Sequence, residues 1–260
     1  MSRFPLLSAI RDPRALRETV SRTFLGSLLA SPQGRAYALV QAAIAEGTDE
    51  GAVFEHVATR VADGELQRMV KKHAEDEDRH AALFFGCADR QGVGRPEIPK
   101  DLRVLELLDA RIGVFGRPVA TDEDVMMSYL VLQVIEERAI EQFAIMEPVM
   151  RRYDPRTADV LAGIGKDEER HLLYCRAITK RYASSEAVRE QKLAELREAE
   201  AHAFREHQQN GIAYIMSRTD LLTPAARLFW RAALDLLSRR ADLPYTRFHG
   251  DLAGPVALAA

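Results

Sequence analysis

Apolar residues recur along most of this 260-residue chain in alternating steps of four and three, the spacing of one face of an α-helix. Runs in which apolar and polar residues alternate strictly, the pattern of a half-buried β-strand, are absent from the sequence. The chain is therefore expected to be all-α. The pattern predicts helices over about 13–30, 32–62, 65–91, 122–152, 156–182, 185–215 and 223–241.

Four of the predicted helix starts share one signature, a capping Asp, Ser or Thr directly before a proline. They are Asp12-Pro13, Ser31-Pro32, Asp154-Pro155 and Thr223-Pro224. The capping oxygen accepts from a free N–H of the first turn, and proline suits the first helical position because an N–H there has no partner within the helix. Gly64, Gly92 and Gly94 interrupt the helical pattern and predict turns.

Residues 31–91 and 122–182 are organised as two copies of one helical hairpin. Ser31 and Asp122, the predicted capping positions, lie 91 residues apart, and the histidine-containing segments described below have the same offset. Short turns make the helices of each hairpin antiparallel, so the two hairpins are expected to form a four-helix bundle. The predicted organisation is one domain over 1–260, with a lead helix in 1–30, a core bundle over 31–182 that includes a long crossover at 92–121, two accessory helices in 183–241 and an irregular tail over 242–260.

Two five-residue segments carry the same chemistry in the same order. They are Asp76-Glu77-Asp78-Arg79-His80 and Asp167-Glu168-Glu169-Arg170-His171, and both have the form Asp-Glu-x-Arg-His. Residues three apart share a helix face, so each segment directs a carboxylate and an imidazole to one point. A single Glu-x-x-His is common on charged surface helices. Here both copies lie in the middle of an apolar face, which favours a buried site.

Acidic residues interrupt the apolar face of all four predicted bundle helices. Glu46 and Glu50 lie on the first face, Glu77 on the second, Glu136 on the third and Glu168 on the fourth. An ionised carboxylate in a dry interior costs several kcal/mol, and clustered like charges add to that cost. Two divalent cations would cancel the charge of four carboxylates, and neutral histidines would complete the coordination.

The donor types indicate which metal such a site would take. Carboxylate and imidazole donors suit iron or manganese. Cys87 and Cys175 form no Cys-x-x-Cys pair, which excludes a thiolate zinc site built within one chain. The alternative to a metal is pairing of the acids with Arg79 and Arg170, but two arginines cannot neutralise four acids.

Two inward glutamates and two Glu-x-x-His pairs on a four-helix bundle resemble the ligand set of the ferritin-like di-iron carboxylate proteins. The longer Asp-Glu-x-Arg-His segment is similar to the motif of soluble di-iron oxygenases, including the bacterial multicomponent monooxygenases. The resemblance covers residues 31–182 and implies a ferritin-like bundle that binds two iron ions, or manganese and iron. The metal ligands that it implies are Glu77, His80, Glu168 and His171. Asp76 and Asp167 would orient the histidines, and a surface position is the alternative for both.

Each hairpin offers two candidates for its lone glutamate, the glutamate ligand that lies outside the Asp-Glu-x-Arg-His segment. Glu46 and Glu136 each precede their Asp-Glu-x-Arg-His segment by about thirty residues, the gap that the family motif keeps. Glu50 lies closer than that gap, yet it shares the apolar face, and Glu50-Gly51-Ala52 is similar to the first-helix segment of demethoxyubiquinone hydroxylases. We favour Glu46 and keep Glu50 as the alternative. Glu137 has an acceptable gap but falls off the apolar face, so we prefer Glu136.

His73 is an additional candidate ligand. It lies one turn before Glu77 on the same face, and the equivalent place in the second hairpin is Ile164. A similar added histidine occurs in the di-iron arylamine N-oxygenases, in which case only one metal would gain it. The alternative is a histidine near the bundle end that bonds to water or to a carbonyl.

The function that the resemblance implies is that of an oxidoreductase of the monooxygenase type, which activates dioxygen to hydroxylate, N-oxygenate or otherwise oxidise a small organic substrate. An electron donor such as a reductase or ferredoxin is then an expected partner, and a homodimer is allowed. The alternatives are a ferroxidase or iron-handling protein without an organic substrate, a ferritin-like tRNA hydroxylase and a non-catalytic helical interaction protein.

Charge and composition limit the classes of partner that the sequence indicates. The formal net charge is −3 and no basic block is present, so neither nucleic acid nor an anionic membrane is indicated. No apolar stretch approaches the roughly 20 residues that span a bilayer. The first 20 residues contain charged side chains without a continuous apolar core, so a cytoplasmic, unprocessed chain is expected.

Overall fold

A computed structural model describes residues 13–47, 50–115 and 117–238, and within these ranges all regular secondary structure is helical. The α-helices of the described residues are α1 (Pro13–Leu29), α2 (Pro32–Gly47), α3 (Glu50–Arg60), α4 (Gly64–Asp89), α5 (Val104–Ile112), α6 (Asp122–Met150), α7 (Pro155–Tyr182), α8 (Glu186–Ser217) and α9 (Pro224–Ser238), and a 3₁₀ turn covers Lys100–Leu102. The all-α prediction is confirmed.

The predicted helix starts are confirmed at all four prolines, which are the first residues of α1, α2, α7 and α9. Ser31 Oγ accepts from the Gly34 N–H at 2.9 Å, and Thr223 Oγ1 accepts from the Ala226 N–H at 3.2 Å. Asp154 Oδ1 accepts from the Thr157 N–H at 3.1 Å. Asp12 lies outside the described residues.

Two antiparallel helix pairs form the centre of the molecule: α2 packs along α4, and α6 packs along α7. In the first pair the Arg35 Nε–H donates to Gln91 Oε1 at 2.6 Å, whereas at the other end of α2 a Cβ on Gly47 would lie 2.8 Å from Ala81. Contacts between α4 and α7 join the pairs, α8 packs against α5 and α6, and α1 packs against α6.

Two buried apolar clusters fill the interior, and a buried polar layer separates them. One cluster includes Leu39, Phe84, Phe143 and Leu161; the other includes Val57, Val70, Tyr129 and Cys175. Along α4, for example, His73, Glu77 and His80 lie between Val70 of one cluster and Phe84 of the other. The polar candidates identified in the sequence are therefore enclosed by apolar packing at both ends.

The structure corrects the sequence prediction at the crossover. The sequence pattern predicts a long crossover over 92–121 and identifies no helix in it, but this segment contains α5 and the 3₁₀ turn. The start of α5 lacks the usual signal, because Arg103 at its N-cap makes no side-chain capping bond. The helix ends at Gly113, whose φ of 58° lies in the left-handed region that favours glycine.

Other boundaries are described only in part. The helix predicted over 32–62 is seen as α2 and α3, with residues 48 and 49 outside the described residues. The predicted tail over 242–260 also lies outside them. Among the described helices, none has both the length and the apolar character needed to cross a membrane.

Candidate metal centre

Seven histidine and glutamate side chains from four helices converge in the buried polar layer. They are Glu46 from α2, His73, Glu77 and His80 from α4, Glu136 from α6, and Glu168 and His171 from α7, and all seven are buried. Six of these seven residues fall into two groups that could each hold a metal ion, and Glu77 belongs to both groups.

The first group, named here the His171 site, consists of His73, Glu77, Glu136 and His171. His171 Nδ1 lies 2.9 Å from Glu77 Oε1 and 3.6 Å from Glu136 Oε1. His73 Nε2 lies 2.8 Å from Glu136 Oε1 and 3.3 Å from Glu77 Oε1. Two imidazole nitrogens and two carboxylates thus face one point.

The second group, named here the His80 site, consists of Glu46, Glu77 and His80. His80 Nδ1 lies 3.4 Å from Glu46 Oε2 and 3.7 Å from Glu77 Oε2. Glu168 lies between the two sites, with Oε1 3.2 Å from His80 Nδ1 and Oε2 2.8 Å from His171 Nδ1. Glu77 and Glu168 therefore each turn one oxygen toward each site, which is the placement of bridging carboxylates.

These separations fit metal coordination. Two donor atoms that are each about 2.1 Å from a shared ion lie about 3 to 4 Å apart. The buried atoms His80 Nδ1 and Glu168 Oε1 have no hydrogen-bond partner among the described residues, although they face each other. Buried polar atoms are normally satisfied, so unsatisfied lone pairs that converge on one point support a cation there.

The outer nitrogens of His80 and His171 contact the aspartate of the opposite Asp-Glu-x-Arg-His segment. His80 Nε2 lies 3.3 Å from Asp167 Oδ2, and His171 Nε2 lies 3.4 Å from Asp76 Oδ2. An Nε2–H that donates to the aspartate leaves the Nδ1 lone pair directed into the centre. Both aspartates therefore lie where they could orient the histidines, and Asp76 is fully buried.

The two arginines of the segments bind these aspartates. Arg79 Nη2 lies 2.8 Å from Asp76 Oδ1 and 2.5 Å from Asp167 Oδ2, and Arg170 Nη2 lies 2.7 Å from both carboxylates. Among the described residues, the ion pairs of Arg79 and Arg170 go to aspartates and not to the four central glutamates. Pairing with arginine therefore does not neutralise the centre.

The central glutamates differ in acidity. Burial raises the pKa of Glu46, and the nearby carboxylate of Glu77 raises it further. Burial and the charge of Glu136 raise the pKa of Glu168 to about 7. Burial also opposes ionisation of Glu136, but the bonds from His171 and His73 outweigh it and lower the pKa of Glu136.

The histidines respond to the same charges. Burial disfavours the imidazolium of His80, yet the nearby carboxylates of Glu168, Glu46 and Glu77 outweigh it and raise the pKa of His80 to about 12. The pKa of His171 is raised as well, against burial, by Glu136, Glu168 and Glu77. In the metal-free protein, protons on the histidines balance the carboxylates, and a divalent cation would take their place.

The geometry also bears on the choices that the sequence left open. Glu46 lies in the centre, whereas the side chain of Glu50 is outside the described residues. Glu136 faces the centre, while Glu137 is held by Arg197 through bonds of 2.6 and 2.8 Å. His73 Nε2 lies 2.8 Å from Glu136 Oε1, so His73 belongs with the candidate ligands.

A cavity of about 940 Å³ adjoins the centre and was missed in the sequence. Glu46, Glu77 and Glu136 lie in its wall, and the remaining wall comes mainly from α1, α2, α6, α8 and α9. The α8 residues that line it are both polar and apolar and include Ala201, Arg205, Gln208 and Ile215. Their pattern does not mark a face in the sequence, and only the position of α8 reveals what they cover.

No protein-family model, curated protein or solved structure matches the chain, so the centre is identified by its geometry alone.

Proposed function

We propose that this protein is a non-haem di-iron oxidoreductase that uses dioxygen to hydroxylate, N-oxygenate or otherwise oxidise a small organic substrate. The observation that carries the proposal is the position of Glu77 and Glu168, which each face both metal sites with one oxygen. Bridging carboxylates hold two metals close enough to act together on one molecule of dioxygen.

The proposed fold is a ferritin-like four-helix bundle of α2 with α3, α4, α6 and α7. Its support is that each of the four helical segments contributes to the centre, and that two of them carry the Glu-x-x-His pair typical of such bundles. The other helices, α1, α5, α8 and α9, are then additions that surround the bundle.

The donor set favours iron, or manganese with iron, since oxygen and imidazole donors predominate and thiolates are lacking. Two iron ions would supply the electrons and open coordination positions that dioxygen reduction needs. The chain itself holds the donors in register through the pairs between Asp76 and His171 and between Asp167 and His80. The apolar clusters enclose the centre at both ends, while Glu46, Glu77 and Glu136 also line the cavity beside it.

The cavity favours an organic substrate over iron handling as the purpose of the centre. A protein that only oxidises and stores iron has no need of an apolar chamber of about 940 Å³ beside its metal pair. A tRNA substrate would require a basic surface, and the formal net charge of −3 does not suggest one. An electron donor, such as a reductase or ferredoxin, is part of the proposal.

The test is metal analysis followed by reaction with oxygen. Protein loaded with ferrous iron under anaerobic conditions should retain two iron ions per chain and consume dioxygen when oxygen is admitted. Glu136→Ala should retain less iron, while Glu137→Ala should retain the full amount because Glu137 binds Arg197 instead. Wild-type protein that retains no iron, or equal retention by both variants, would contradict the assignment.

A further inference from the structure

The cavity beside the metal centre has an extended apolar wall. Leu16, Val20 and Phe24 of α1 line it, as do Trp230 and Leu234 of α9. From α6, Phe143 and Met146 add to this wall. A chamber of about 940 Å³ lies at the upper end of the range of about 300 to 1,000 Å³ for small-molecule sites, so it suits a substrate with a large apolar body.

Gly211 of α8 provides independent evidence that the chamber is open at this wall. The residue is buried, yet a Cβ built on it would meet no atom within 4 Å outside its own helix turn. A buried helical glycine with free space in front of it faces a void rather than a packed neighbour. Glycine also lowers helix stability, so a side chain here would be expected unless the space has a use.

Three of the four arginines that line the cavity either make hydrogen bonds or are exposed to solvent. Arg138 makes two bonds to Glu200, of 2.8 and 2.9 Å, and one of 2.9 Å to Glu141. The Arg103 Nε–H donates to the Ile98 carbonyl at 3.1 Å. Arg231 is exposed to solvent.

Arg205 differs from these three arginines. It lines the cavity, is half-buried, and its buried Nε has no hydrogen-bond acceptor among the described residues. A buried donor without an acceptor is uncommon in native proteins and calls for an explanation. The planar guanidinium is suited to bind a carboxylate through two parallel bonds.

We propose that the cavity binds a monocarboxylic acid with an apolar body, and that Arg205 recognises its carboxylate. A single negative charge is expected because Glu46, Glu77 and Glu136 line the same chamber and would repel a dianion. The inference rests on the proposed function only for the oxidation of the bound acid. The binding of the acid is inferred from the cavity, Arg205 and Gly211 alone.

The carboxylate part is tested by calorimetric titration of the full-length protein, as purified and loaded with zinc, using octanoate, octan-1-ol and octylamine. Octanoate should bind most tightly. Arg205→Met should weaken octanoate binding by about 10- to 100-fold, the usual value of a charged hydrogen bond, and change octan-1-ol binding less than twofold. Arg156→Met, an exposed arginine on α7, is the control and should change neither.

Equal binding of octanoate and octan-1-ol by the wild type would overturn carboxylate recognition. The same conclusion would follow if Arg205→Met weakened all three compounds alike, because that pattern shows lost packing. Arg205→Lys keeps the charge without the planar fork, so partial recovery of octanoate binding is expected if the protein needs a cation there.

The apolar part is tested by filling the chamber with Gly211→Leu. Binding of both octanoate and octan-1-ol should fall at least tenfold, while the melting temperature should not fall because leucine favours the helix more than glycine. Gly163→Leu is the matched control, since Gly163 is helical and exposed on α7 and also has free space at its Cβ. Unchanged affinity in a folded Gly211→Leu protein would show that the acid does not occupy this cavity.

These outcomes are separable from failure of the proposed function. Zinc has no redox chemistry, and binding is measured without iron or dioxygen. Arg205-dependent octanoate binding in a protein that retains no iron would support the inference and contradict the di-iron function. Full iron loading with no octanoate binding would contradict the inference and leave the di-iron function supported.

Discussion

The two helix pairs carry the same Asp-Glu-x-Arg-His segment but place unequal sets of candidate metal ligands around it. The shared half is nearly symmetric: Asp167 contacts His80 at 3.3 Å and Asp76 contacts His171 at 3.4 Å. The difference lies one turn earlier along each helix. In α4 that place is His73, which faces the centre, and in α7 it is Ile164, which packs in an apolar cluster.

The difference extends to the lone glutamates. Glu136 has His73 Nε2 at 2.8 Å and His171 Nδ1 at 3.6 Å, and these bonds lower its pKa. Glu46 has His80 Nδ1 at 3.4 Å and lies beside the carboxylate of Glu77, and burial with that charge raises its pKa. The symmetric half therefore lies between the two candidate sites, and the asymmetric half gives the His171 site one more candidate ligand than the His80 site has.

The largest expected effect comes from the residues that both sites share. Glu168→Ala removes one oxygen from each site, so the protein should fall below two iron ions per chain and lose oxygen-dependent activity. Iron analysis and oxygen uptake measure this. Glu169→Ala, the exposed neighbour on α7, is the control and should behave as wild type. Full iron retention by Glu168→Ala would show that the carboxylate does not bridge.

An intermediate effect is expected from substitution of the orienting aspartates. Each substitution should weaken metal binding by the histidine of the opposite segment. Asp76→Asn should weaken metal binding at the His171 site by about 10- to 100-fold, and Asp167→Asn should do so at the His80 site. Competition with a chelator gives the two affinities. If each substitution instead affected the histidine of its own segment, the crossed pairing of the two helices would be wrong.

The crossed pairing also shows how far the sequence could predict the centre. The Glu-x-x-His pairs and the helix starts depend on residues within one turn, so spacing alone identified them. Which aspartate meets which histidine depends on how α4 and α7 are rotated against each other, and spacing carries no information about that. The same holds for Arg205 and Gly211, whose role depends on where α8 lies. The helix α5 was missed because its N-cap provides no side-chain bond.

A smaller effect is expected from removing the asymmetry. His73→Ile gives α4 the residue type that α7 has at the equivalent place, and it should lower metal affinity by about tenfold at the His171 site only. His56→Ile on α3, an exposed histidine, is the control. The observable is stepwise metal binding. Two steps that are separated in the wild type should move together, and steps that stay apart would place the inequality elsewhere.

The smallest effect is a pH dependence of the metal-free protein. His80, with its pKa raised to about 12, stabilises the fold fully below its unfolded value of about 6.5, and that contribution is lost as the pH rises toward 12. Glu168, with its pKa raised to about 7, acts in the same direction between about pH 4.5 and 7. The metal-free protein should therefore melt at a lower temperature at pH 8.5 than at pH 6.

Metal binding should reverse this trend at the centre, because the ligands must be deprotonated to coordinate. The gain in melting temperature upon zinc loading should thus be larger at pH 8.5 than at pH 6. The buried ion pair of Arg138 and Glu200, where burial raises the pKa of Glu200 to about 8, also titrates in this window. It is common to both forms, so the difference between them isolates the centre. A gain that is independent of pH would mean that metal does not displace protons from these histidines.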